Sequence, residues 1–300
     1  MTTSSRQRGS MLLVVLFLAG LLGVFAAVAA SAMHAAAESS RTFANGLRAD
    51  EAMHAAVDYI IAQTGQAIQQ SRGTATIDMG RTKVVLTVRD EAARIDINRA
   101  PPELIAGIFR QVGVPGDVAA SYAARIVDWR DADDKVSPNG GAELGAYRAA
   151  GRTDGPRNGP FVSVAELALV LGIPMRVAAA VSPYVTVASG RDKINPMYAD
   201  PPVLMAIPGV DENRVRDFLE ERKQPGAQLK SLISRLGPVQ NFVTEENGMA
   251  VRFEGSVALD GGGDIRHYEV VASVGSGDSS APYRILAWDG NPPERIRALP

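Results

Sequence analysis

Four carboxylates crowd one short stretch of this 300-residue chain: Asp131, Asp133, Asp134 and Glu143, in WRDADDKVSPNGGAEL around a Pro-Asn-Gly-Gly turn. Acidic side chains at alternating positions, backed by a more distant glutamate, are the donors a hard, oxygen-ligated cation such as Ca2+ takes. The spacing lacks the glycine and terminal glutamate of an EF-hand loop. On the residues alone two readings stay open, a Ca2+ site and a solvated acidic loop.

A second stretch with chemical content is IPGVDENRVRDFLEER, Ile207 to Arg222, which resembles a helix-hairpin-helix. In that motif a glycine hairpin lets backbone N–H groups reach a DNA phosphate. Here Asp211 replaces the usual second glycine, and Glu212, Asp217, Glu220 and Glu221 follow. An acid where phosphate must approach, in a chain of formal charge -2, favours a structural hairpin, and no nucleic acid is expected as partner. A membrane-tethered protein for DNA binding or DNA uptake is the alternative.

Catalytic residues are not expected. No G-x-S-x-G, H-E-x-x-H or P-loop pattern occurs, cysteine is absent, and His34, His54 and His267 lie far apart. The tract VGSGDSSAP, Val274 to Pro282, lacks the lysine and the strand-to-helix context of a phosphate loop and reads as a flexible connection. The chain is read as a non-enzyme.

The elements that position these groups follow from periodicity. From Ala35 to about Ile68 a helix is expected, with Phe43, Leu47, Met53, Val57, Ile60, Ile61 and Ile68 on one broad face and Glu38, Arg41, Arg48, Glu51 and Asp58 off it. Asp50 breaks the pattern by falling inside the stripe, either solvated at an edge or paired with another subunit. Strands are expected at Thr74 to Asp78, Lys83 to Arg89, Val251 to Leu259, Ile265 to Val274 and Tyr283 to Trp288, with a glycine turn at Gly261 to Gly263. Between the two halves of that sheet the signals turn helical. Pro101 and Pro102 open one helix, Asp117 another and Asp211 a third, while Ser163 with Glu166 forms a capping box before a helix that Gly172 stops.

That helical block contains a repeat. RIDINRAPPELIAGIF, from Arg94, is echoed by RDKINPMYADPPVLMAIPGV, from Arg191, each with Ile-Asn, then Pro-Pro, then an apolar helix. A second helix follows each, ending near Arg130 and Arg222 respectively. The spacing of roughly one hundred residues is too long for a solenoid and describes a duplicated helical hairpin.

At the other end, no Asp, Glu, Lys or Arg occurs between Gly9 and Ala37, after the short leader MTTSSRQRG. Read as a helix, Ser10 to Met33 is roughly 36 Å long, enough to cross a bilayer core of about 30 Å. Arg6 and Arg8 would hold the short side in the cytoplasm, leaving the bulk of the chain in the periplasm. A secretory signal cut at the A-x-A site near Ala30 to Ala32, giving a secreted enzyme, is a further alternative.

QRGSMLLVVLFLAGLL resembles the prepilin-peptidase site of type IV pilins and type II secretion pseudopilins. The resemblance implies cleavage after Gly9 and methylation of Ser10 as the new first residue. Most such subunits carry glutamate at the fifth mature position; here Val14 stands there, the mark of the K-type minor pseudopilins. The acidic stretch is similar to that family's W-x-D-x-D-D followed by G-A-E-D, a calcium-associated segment, with Leu144 where an aspartate is usual. GPFVSVAELALVLGI resembles the serine-capped helix that follows it.

The resemblance implies a single-pass inner-membrane protein at the tip of the pseudopilus, initiating or capping assembly for protein export across the outer membrane. Implied partners are minor pseudopilins of the I and J types, the major pseudopilin, the prepilin peptidase and the inner membrane; Ca2+ is the implied ion. The expected fold is α+β, a pilin-like long N-terminal helix packed on an antiparallel sheet, with a large inserted α-helical domain containing a duplicated helical-hairpin module. Its divisions are a leader at 1–9, a transmembrane helix at 10–36, an amphipathic helix and first strands at 37–96, helical modules at 97–189 and 190–240, and closing strands at 241–300.

Overall fold

The structure is a computed structural model of the chain, and it describes residues 6–64, 73–224, 229–259, 265–274 and 283–290, with residues 6–10 described by their backbone only. Leader residues 1–5, Ile68, the turn Gly261 to Gly263 and most of Val274 to Pro282 lie outside the described residues.

One helix, α1 (Arg6–Thr64), opens the chain; at 59 residues it runs unbroken through the Gly9 junction and the apolar tract. Strands β1 (Thr74–Asp78) and β2 (Thr82–Asp90) follow as an antiparallel pair. The chain then leaves the sheet through a 3-10 turn, Glu91–Ala93, and returns only at β5 (Ala250–Leu259). In between come β3 (Ile95–Asp96), α2 (Pro102–Gln111), α3 (Gly116–Arg130), α4 (Leu144–Ala149), α5 (Met175–Val181), β4 (Val185–Thr186), α6 (Pro201–Met205), α7 (Glu212–Arg222) and α8 (Leu229–Leu236). Strands β6 (Arg266–Val274) and β7 (Tyr283–Asp289) close the fold. The main sheet has the order β1-β2-β5-β6-β7 with every neighbour antiparallel. The block spliced between β2 and β5 therefore separates two adjacent strands, and the expected boundaries at 96/97 and 240/241 fall within it.

Two cores divide the molecule. In the first, Ala49, Met53, Ala56, Val57 and Ile61 of α1 lie on Val84, Leu86, Val251, Phe253, Val257 and Val270 of the sheet. The expected stripe is corrected at its start: Phe43 and Leu47 are exposed, and the buried positions there are small ones, Ala49 and Ala52. Alanines let the helix axis approach the sheet closely. The sheet face is first met near Gly46, which sits against the Arg266 guanidinium. Asp50 is half-buried and has a partner within the chain, because the buried Tyr268 hydroxyl donates to its Oδ1 at 2.7 Å. Four residues on, His54 stacks on Trp288 with ring centroids 3.9 Å apart, and Asp58 accepts from Tyr283.

The second core belongs to the helical insert and is shared by both repeats: Leu104, Ile105, Ile108 and Phe109 of the first pack in one cluster with Val203, Leu204, Ile207 and Phe218 of the second. The duplication is visible in the hydrogen bonds. Arg130, ending α3, donates to the carbonyls of Ile97 (2.6 Å) and Ala100 (2.9 Å). Arg222, ending α7, donates to those of Pro196 (2.9 Å) and Ala199 (2.8 Å). Each arginine thus ties the end of its second helix to the loop that opens the first. The two first helices cross where Gly107 meets Ala206, so closely that a Cβ at Gly107 would lie 2.7 Å from the Ala206 carbonyl carbon. The segment after Ser163 carries the capping box but forms a 3-10 helix, Val164–Leu169, rather than the α-helix expected. It is only six residues long, and Gly172, at φ +79°, turns the chain soon after it.

Candidate functional site

Two places answer the sequence expectations, and the fold adds a third. The first is the N-terminal part of α1. Gly9 and Ser10 lie within the helix. Val14 is 56% exposed, as are its large apolar neighbours from Met11 to Val28, and α1 is the one helix among the described residues long and apolar enough to cross a membrane. A face that apolar, packed on nothing among the described residues, fits a single-pass anchor.

The second is the acidic loop between α3 and α4. Asn139 (φ +68°) and Gly140 (φ +91°) make a left-handed turn, whose carbonyl at Gly140 takes hydrogen bonds from Ser121 (3.0 Å) and Arg125 (3.1 Å). Gly141 leaves room for nothing larger, since a Cβ there would stand 2.8 Å from the Ser137 nitrogen. The turn folds Glu143 inward at the start of α4. It is 6% exposed, and neither of its carboxylate oxygens has a hydrogen-bond partner. A buried Asp131 oxygen is also without one.

Asp128, fully buried in the last turn of α3, accepts from the Ser137 N–H at 3.0 Å and completes the acidic surroundings. Desolvation, reinforced by Asp128, Asp131, Asp134 and Asp133, pushes Glu143 up to about 7; desolvation, then Asp133 and Asp128, pushes Asp131 up. Asp133 and Asp134 are exposed and locally bonded, Asp133 to the Lys135 N–H (2.8 Å) and Asp134 to Asn158 (3.2 Å). The structure therefore brings Glu143 and Asp131 together with Asp128, which sequence reasoning passed over although it lies one helical turn before Asp131. Among the described residues no three acidic or histidine side chains are close enough to form a ready-made metal cage. The donor chemistry nonetheless fits a hard cation, because buried, unpartnered carboxylate oxygens in an acidic setting gain from one.

The third place was not foreseen. Where the insert is rooted in the sheet, buried Glu91 meets buried Arg252 (2.6 Å) and accepts from Thr186. Arg252 also contacts Glu269, Arg94 joins Glu254 (3.5 Å) to Glu269 (3.9 Å), and Arg89 pairs with Glu254 (3.1 Å) and Asp200 (3.5 Å). Burial would raise Glu91, but Arg252 and Arg94 overcome it and hold the carboxyl at about 2. Next to it, Asp90 accepts from the N–H groups of Ala92 (2.6 Å) and Gly248 (2.9 Å), clamping the two ends of the insert; burial still pushes it up to about 6. The signal was present in β5. Arg252, Glu254 and Ser256 alternate with Val251, Phe253 and Val257, which marks a second, polar buried face.

In the second hairpin, Asp211 caps α7: its Oδ1 accepts from the Arg214 N–H at 3.0 Å and its Oδ2 lies 3.4 Å from the Arg214 guanidinium. The carboxylate satisfies the helix N-terminus to which a phosphate would bind.

A long apolar helix laid on an antiparallel sheet, with a helical block spliced between adjacent strands, defines an α+β, pilin-like fold of the pseudopilin kind. The comparisons narrow it. A family model described as "Type II secretion system (T2SS), protein K" matches residues 86–190, the root of the insert and its first repeat. In fold the chain is similar to a chain of the crystal structure of the GspK–GspI–GspJ complex from the enterotoxigenic Escherichia coli type 2 secretion system. The TM-score is 0.63 at 14% identity, covering 85% of this chain and 99% of that one. Among curated proteins none matches the sequence. Together the family match and the fold support a type II secretion minor pseudopilin of the K type.

Proposed function

We propose that this chain serves protein export as the terminal subunit of a pseudopilus, cut after Gly9, methylated on Ser10 and held in the inner membrane by the apolar half of α1 until assembly. It acts as a structural component, without a catalytic step. The observation that carries the reading is the insert: a block between Asp90 and Ala250, larger than the sheet that bears it, suits a subunit placed once at an end and obstructs one repeated along a thin filament. Val14 supports the same position. A mature fifth residue without a carboxylate cannot pair with the amino terminus of a neighbouring subunit, so this subunit has no means of seating itself beneath another in the usual way. The companions are minor pseudopilins of the I and J types, met in the periplasm alongside the major pseudopilin.

The acidic loop takes a divalent cation, Ca2+, with Glu143 and Asp131 as ligands and Asp128, Asp133 and Asp134 supplying further charge. Bound there, the ion would neutralise the loop and fix α3 to α4. The test of the main reading is mass spectrometry of the membrane-extracted protein. An N-terminus at methylated Ser10, in a protein that co-purifies with I- and J-type subunits, is the expected result. A first residue near Ala32, or an intact leader in cells with active prepilin peptidase, overturns it.

A further inference from the structure

The two edges of the sheet are unlike. The β1 edge, Thr-Ala-Thr-Ile-Asp, is short and polar. The β7 edge, Tyr-Arg-Ile-Leu-Ala-Trp-Asp, is longer and apolar through its middle, and among the described residues it pairs only with β6. Edge strands are ordinarily blunted by lysine, proline or a bulge, since unpaired N–H and C=O groups recruit another strand. β7 has no lysine or proline, and its one irregularity is a single-residue bulge at Leu286, skipped where Val271 and Ala272 pair with Ala287 and Ile285.

That edge does not face open solvent alone. It forms one wall of a groove of about 2110 Å³ between the sheet and the insert, with Val162 and Met175 on the opposite wall and Met249 at the insert's return. Met175 is 77% exposed, and Val162, Met249 and Leu286 are also exposed, so four large apolar side chains border a space that nothing in the described chain fills. Arg99, from the insert side, and Arg284, from β7, line the same groove and make no ion pair among the described residues, whereas the arginines at its floor, Arg94 and Arg252, are matched by Glu254, Glu91 and Glu269.

We infer that β7 is a strand-docking site. An extended segment of a partner protein adds to it as a sixth strand, placing alternate apolar side chains in the groove and at least one carboxylate against Arg99 or Arg284. Backbone pairing supplies affinity in this mode, and the pockets for alternate side chains supply choice of partner. The inference extends the secretion reading by naming a surface for protein partners that is separate from the anchor helix.

The test is amide hydrogen exchange on the full chain in detergent, with and without a terminally blocked octapeptide, Asp-Thr-Val-Thr-Val-Thr-Val-Asp, at about 1 mM. The expected result is exchange slowed about tenfold or more across 283–289, with the β1 edge at 74–78 unchanged. Arg284→Glu and Leu286→Lys, both at exposed positions, should each weaken the peptide about tenfold while leaving the melting temperature in place. Equal protection of both edges, no protection of β7, or full affinity in both variants overturns the proposal. So does faster β7 exchange on removal of residues 291–300 alone, which would show that the chain covers its own edge. If the peptide leaves β7 unaffected while I- and J-type subunits still co-purify, the docking site fails and the minor-pseudopilin reading stands. If β7 is protected but no such subunit is bound, the reverse holds.

Discussion

Glu91 and Glu143 are both buried glutamates, and their surroundings drive them in opposite directions. At the root of the insert, Arg252 and Arg94 outweigh the cost of burial and hold Glu91 at about 2. In the acidic loop, burial is compounded by Asp128, Asp131, Asp134 and Asp133, and Glu143 rises to about 7. Removal from water penalises a carboxylate in either place; what differs is whether the fold brings its own cation. At the junction Glu91 has its counter-charge within the fold. The loop, with both Glu143 oxygens unpartnered, is complete only when positive charge comes from outside or a proton is taken up.

The largest effect expected from breaking this contrast is at the junction. Arg252→Met leaves Glu91 buried without its main partner and should cost about 3–5 kcal/mol, read from denaturant unfolding of the detergent-solubilised chain. Glu91→Gln added to it should recover much of that loss, because no uncompensated charge then remains. The pH dependence has a definite sign: a carboxyl held at about 2 against an ordinary 4.5 contributes stability that is present above pH 4.5 and lost as pH falls toward 2. Arg252→Met should remove that acid-side slope. A variant as stable as the parent at pH 7 would mean that the junction does not depend on this pair.

Next in size is the cation in the loop. Ca2+ at a hundredfold excess over its Kd should stabilise the chain by about 2.7 kcal/mol, and chelator should reverse the shift in melting temperature. A melting temperature indifferent to both Ca2+ and chelator removes the site. Without the ion the loop gives the opposite pH slope from the junction. Glu143 at about 7 against an ordinary 4.5 contributes stability that is full below pH 4.5 and lost as pH rises through 7. Glu143→Gln should therefore raise the stability of the ion-free chain at pH 8 by about 1–2 kcal/mol, flatten the slope between pH 5 and 7, and abolish the response to Ca2+.

The two regions also differ in how far the sequence announced them. The loop was legible as a loop, since carboxylates at alternating positions and a Pro-Asn-Gly-Gly turn are local patterns. Asp128 was not, because it lies on the preceding helix and joins the group only when the turn folds back. The five strands and the Pro-opened helices were likewise local, as was the duplication. The junction was hidden, because Glu91, Arg252 and Glu269 are brought together by strand pairing across the whole insert, and nothing near Glu91 in sequence names Arg252 as its partner. The misjudged start of the α1 stripe has a similar cause: periodicity finds the apolar face at Phe43 and Leu47 but not the point where the sheet beneath it begins.

Asp50 is an intermediate case, a half-buried carboxylate whose partner is neither an arginine nor an ion but the Tyr268 hydroxyl at 2.7 Å. Burial, then the bond to Asp50, pushes that phenol up, so it remains a donor throughout the working pH range. Asn can accept the same hydrogen bond, whereas Ala leaves the buried hydroxyl without its acceptor, with Arg266 as its remaining side-chain partner. Asp50→Asn should thus cost less than about 1 kcal/mol and Asp50→Ala about 1–3 kcal/mol, measured by thermal unfolding. Equal losses would show that the charge of Asp50 matters more than its acceptor, and would place it with Glu91. If neither substitution has an effect, α1 is held on the sheet by its apolar contacts, the His54–Trp288 stack and the Asp58–Tyr283 bond without help from Asp50.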